Sequence, residues 1–125
     1  MKDTQATVRG ARAVLEFHRK VNRIIGEALE KMEFSCSHFN GAGSYFPGST
    51  YNADEMLNVS NFSGVNRRGR EIWVEVAAFL DKNGIPLATL SCPLYDDPIL
   101  FLVEKERDRI LSQIRSDLEQ LLDWE

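Results

Sequence analysis

The sequence predicts an α+β domain: an antiparallel β-sheet of three to five strands, with a central hairpin over 71–92, packed by long N-terminal and C-terminal helices. Three observations carry this. Apolar residues recur at helical spacing near both ends. A strict two-residue alternation brackets a turn in the middle. Finally, 125 residues with 43% hydrophobic and 27% charged side chains suit one ordinary core, so 1–125 reads as a single domain.

The first helix is predicted from about Gln5 to Met32, where Val14, Phe17, Val21, Ile24, Ala28 and Met32 form an apolar stripe. A helix of roughly 27 residues is about 40 Å long, whereas the domain should be about 28 Å across. Part of it is therefore expected to project, bend or meet a second subunit. Gly10 suggests a late helix start and Gly26 a close contact with another element.

Phe34–Phe39 and Met56–Phe62 read as weaker strands, separated by a loop rich in Gly, Pro, Ser and Asn over 40–52. Asn66-Arg67-Arg68-Gly69 reads as a turn. Ile72, Val74, Val76, Ala78 and Leu80 then alternate with Trp73, Glu75, Ala77, Phe79 and Asp81. Asp81-Lys82-Asn83-Gly84 closes a hairpin, and Ile85–Cys92 returns, with Pro86 suggesting a position near an edge or bulge. Asp97 as N-cap and Pro98 as first helical residue open the last helix, with a stripe of Ile99, Val103, Ile110, Ile114, Leu118 and Leu121. Two such helices most simply cover one sheet face and leave the other more exposed.

The net charge of −4 argues against nucleic acid as a partner. The charge is segregated: through Arg23 there are six Lys/Arg against two acids, and from Asp81 onward ten acids against five bases. A basic first helix beside an acidic last one fits two helices that attract each other. No membrane segment is read, since the longest apolar run is Ile99–Val103. Residues 1–30 lack the apolar core of a secretory signal. A cytoplasmic location with reduced Cys36 and Cys92 is the expectation.

Half of the twelve aromatics lie within 34–62, a stretch without Lys or Arg after Lys31. Aromatic walls with hydroxyl and backbone donors suit a small-molecule pocket, although the same residues read more readily as an Ω-loop held down by its own aromatics. Arg67, Arg68 and Arg70 form the compact basic cluster outside the helices, able to clamp a phosphate or carboxylate. The candidate ligand-binding residues are therefore Ser44, Tyr45, Phe46, Tyr51, Arg67, Arg68 and Arg70.

Other groupings read as scaffold. Gly41-Ala42-Gly43-Ser44 lacks the Lys of a phosphate loop. Cys36, His38, His18 and Cys92 have no metal-ligand spacing, so no metal or cofactor is predicted. Cys36 and His38 would share a strand face, but no third group orients them for catalysis. Asp96-Asp97 reads as helix capping rather than a catalytic pair, and no catalytic residue is assigned.

From Glu75 to Leu122 the order strand, Asp-x-x-Gly turn, strand, short loop and long terminal helix resembles the closing segment of GAF-like effector-binding domains, as in IclR-type regulators. The matching residues run from Val76-Ala77-Ala78-Phe79-Leu80-Asp81-Lys82-Asn83-Gly84 to Ile85-Pro86-Leu87-Ala88-Thr89-Leu90-Ser91. The resemblance covers some 48 of the 125 residues and leaves 34–70 unmatched. It implies a non-catalytic, small-molecule-sensing fold that often dimerises through its helices, and it carries over no functional residue.

The expectation is thus a non-catalytic module for a small molecule, anionic or nucleotide-like, forming a homodimer. The alternative is a protein-interaction module such as a small inhibitor, immunity or phage accessory protein, or a secretion chaperone.

Overall fold

A computed structural model describes residues 4–31, 34–40, 43–44 and 57–125. Helix α1 (Thr4–Lys31) leads into strands β1 (Ser35–Asn40), β2 (Gly43–Ser44), β3 (Leu57–Val65), β4 (Glu71–Leu80), β5 (Pro86–Ser91) and β6 (Ile99–Leu102). Helix α2 (Val103–Leu122) closes the chain. The strands form one antiparallel sheet in the order β1-β3-β4-β5-β6, and β2 pairs with β3 further along the edge that β1 occupies.

The alternation along β4 sets the layers. Ile72, Val74, Val76, Ala78 and Leu80 are buried beneath the helices, while Trp73 stands on the opposite face with 43% of its surface exposed. Phe17, Val21 and Ile25 of α1 and Ile110, Ile114, Leu118 and Leu121 of α2 complete the core. Both helices therefore lie on one face of the sheet, as the pattern predicts, and the expected hairpin is β4–β5.

Four local expectations are corrected. Helix α2 does not begin at Asp97-Pro98, because Ile99–Leu102 adds a strand that pairs with Leu87–Leu90. The helix starts one residue later, and its first turn is closed by the Glu106 carboxylate, which accepts from the Leu102 amide at 2.8 Å. With β6 in place, β5 is interior. Pro86 is tolerated as its first residue, outside the segment that β6 pairs.

Neither helical glycine plays its predicted role, and α1 begins at Thr4, well ahead of Gly10. A Cβ on Gly26 would meet nothing within 4 Å, whereas one on Gly10 would lie 2.4 Å from the Gly84 carbonyl oxygen. Gly10 is where α1 crosses the β4–β5 turn, and only a residue without a side chain fits there. In β1, a bulge between Cys36 and His38 opposes them to Gly64 and Ser63. The bulge interrupts the two-residue alternation on which the predicted shared face of Cys36 and His38 rests, and the His38 side chain lies outside the described residues.

Candidate functional site

The predicted site residues fall in separate places. Ser44 pairs opposite Leu57 at the start of β3, and Arg67 follows the end of that strand, about 27 Å away at 3.3 Å per residue. Tyr45, Phe46 and Tyr51 lie outside the described residues. Arg67, Arg68 and Arg70 do sit together, in the β3–β4 turn.

That turn shares its construction with the β4–β5 turn. In each, the first residue's carbonyl accepts from a glycine three positions on, at 3.0 Å for both Gly69 and Gly84. Both glycines have positive φ, 79° and 78°. The first side chain accepts from two later amides: Asn66 Oδ1 from Arg68 and Arg70 at 3.0 Å each, Asp81 Oδ1 from Asn83 and Ile85 at 2.8 and 2.9 Å.

Asn66 has a second use that an aspartate lacks. Its buried amide donates to the carbonyls of Leu121 and Trp124, at 2.8 Å each, and so caps the end of α2. The arginines around it extend this clasp. Arg67 pairs with Asp123 at 2.7 Å, Arg68 pairs with Glu125, and Arg70 stacks 3.8 Å from the centroid of the Trp124 ring. Three cations at the C-terminal end of α2 also suit its dipole. Each side chain that the sequence nominates as an anion clamp is thus engaged by the chain's own last three residues.

Two buried polar clusters lie elsewhere. Asp117, only 1% exposed, accepts from Tyr95 Oη at 2.6 Å and from Gln113 Nε2 at 2.8 Å, which fixes the 93–98 segment against α2. Burial, and then the Asp117 carboxylate, push the Tyr95 hydroxyl well above its ordinary value, and burial raises the Cys92 thiol. Under α1, Ser60 Oγ donates to Asn22 Oδ1 at 2.5 Å, and Asn22 donates to His18 at 3.2 Å. Nearby on β3, the Asn58 amide nitrogen is buried with no partner among the described residues. Among the described residues, no group of three His, Cys, Asp or Glu could hold a metal ion.

The arrangement with most chemical potential is one the sequence reading did not nominate. Helices α1 and α2 run side by side in the same direction, and their shared outer groove is lined first by Lys20, Arg23 and Ile24 of α1 with Leu111 and Arg115 of α2. This end encloses about 270 Å³. A further 160 Å³ continues over Ile24, Ala28 and Leu118, with Glu27, Lys31 and Glu119 at its rim. Ile24 and Leu111, both nearly buried, form the floor.

Lys20, Arg23 and Arg115 form no ion pair within 4.0 Å among the described residues. None of the described ion pairs joins α1 to α2. Three cations there face one another over an apolar floor. Such a site attracts an anion, because like charges in one concavity reinforce each other's field.

No protein-family model matches the chain, and neither a curated protein nor a solved structure matches it. Among the described residues, no helix is long and apolar enough to cross a membrane.

Proposed function

We propose that this chain is a non-catalytic module that binds a small anionic ligand at the cationic end of the α1–α2 groove. The observation that carries the reading is the convergence of Lys20, Arg23 and Arg115 around Ile24 and Leu111 with no carboxylate in pairing distance. Fixed charges over an apolar floor hold a ligand and transfer nothing, which is why the reading is binding rather than turnover. The likeness of 75–122 to GAF-like effector domains agrees with a small-molecule sensor, and a cytoplasmic location agrees with its two thiols.

Thermal-shift measurements with inorganic phosphate, nucleotides, small carboxylates and alkyl phosphates test the proposal. A ligand at a hundred times its Kd should stabilise the fold by about 2.7 kcal/mol, and the gain should vanish in the triple variant Lys20→Glu, Arg23→Glu, Arg115→Glu. Stabilisation that survives that variant, or that no anion produces, contradicts it.

A second reading, a protein-interaction module that includes self-association as a homodimer, is favoured by exposed apolar residues on the sheet face opposite the two helices. Trp73, Leu100 and Leu102 are 43%, 60% and 41% exposed there. Sedimentation equilibrium of the wild type and of Trp73→Ser with Leu100→Ser checks it. Association lost in the variant supports this reading, and a monomer throughout removes its self-association form.

A further inference from the structure

Resting on the groove as an anion site, we infer that its ligand is a single-chain amphipathic anion: a phosphate or carboxylate head held by Lys20, Arg23 and Arg115, with an aliphatic tail laid over Ile24, Ala28 and Leu118. The two ends of the groove differ in kind. One carries three cations and no acid. The other has an apolar floor, with Glu27 and Glu119 at its rim balanced by Lys31 and Arg115, so it offers no surplus positive charge to hold a second anionic group. A ligand with charge at both ends fits poorly, and one with charge at one end only fits both halves.

The halves are continuous, since Ile24 and Arg115 line both. The tail section of 160 Å³ equals the share of about five water molecules, so it takes a short chain and not a bulky one. Each methylene that leaves water should tighten binding by up to about fourfold. The groove is open on one side, so two- to fourfold is the expected range. The gain should level off after about five methylenes.

Titration calorimetry on the whole chain with inorganic phosphate and the methyl, butyl, hexyl and decyl phosphates reads this directly. The expected result is a stepwise gain up to the hexyl ester and little beyond. Ala28→Gln fills the tail section and should abolish the chain-length dependence. Equal binding of all the esters overturns the tail and leaves the anion site standing. Binding by none overturns both. Binding only to phosphatidylserine vesicles, with no response to monomeric esters, overturns the single-chain ligand in favour of a membrane surface.

Discussion

Two clusters of three cations sit on this molecule and differ in what answers them. In the β3–β4 turn, Arg67 and Arg68 are paired with Asp123 and Glu125, and Arg70 lies on Trp124. In the α1–α2 groove, Lys20, Arg23 and Arg115 surround an apolar floor and form no ion pair within 4.0 Å among the described residues. The first cluster is dense in sequence and serves to fasten the end of the chain. The second is scattered over almost a hundred residues and is the one left to meet something else. Density of charge along a chain thus reports less about binding than whether the fold supplies the counter-charge.

The contrast can be broken most sharply at Asn66. Asn66→Asp keeps an acceptor for Arg68 and Arg70, as Asp81 does in the sister turn, but loses both donors and aims a buried carboxylate at the carbonyls of Leu121 and Trp124. Urea unfolding should show a loss of about 3 kcal/mol, against less than about 0.5 kcal/mol for Asp81→Asn. Equal effects would mean that the turn does not hold α2.

Next in size is Arg115→Glu. It should weaken anion binding at least tenfold, about 1.4 kcal/mol, while leaving stability within about 0.5 kcal/mol. Calorimetry beside urea unfolding separates the two. Arg67→Ala is the counterpart on the other cluster: an exposed pair costs about 0.5 kcal/mol or less, and anion affinity should not move. If Arg67→Ala weakens binding and Arg115→Glu does not, the roles of the clusters are exchanged.

The smallest effect is alkaline. Tyr95 and Cys92 have folded values above their ordinary 10.0 and 9.0, so their contribution is complete below those values and is lost as pH rises past them. The urea midpoint should hold from neutrality to about pH 9 and then fall, with a shallower slope in Tyr95→Phe. An unchanged midpoint at higher pH would contradict the burial of these groups.

Much of the scaffold is legible in the chain because its signals are local. The alternation through Ile72–Leu80 reports one buried face whatever packs on it, and both Asx turns announce themselves by Asn or Asp three residues before Gly. Asp97-Pro98 misleads because a cap signal says nothing of the four apolar residues after it, which find a free edge on β5. The clasp joins Asn66 to Leu121 and Trp124, and no spacing rule links positions 55 and 58 apart. The groove is hidden for the same reason. Lys20 and Arg23 flank Ile24, and Arg115 lies between Leu111 and Leu118, so each helix shows a cation beside its stripe. Only the parallel packing of the helices makes them neighbours.

The most direct test of this account is a ¹⁵N–¹H titration of the whole chain with hexyl phosphate. Saturable shifts should appear at the amides of Lys20–Ala28 and Leu111–Leu118, and those of Asn66–Arg70 should stay still. Shifts confined to Asn66–Arg70, with the helix amides unmoved, would return the anion site to the turn and contradict the groove.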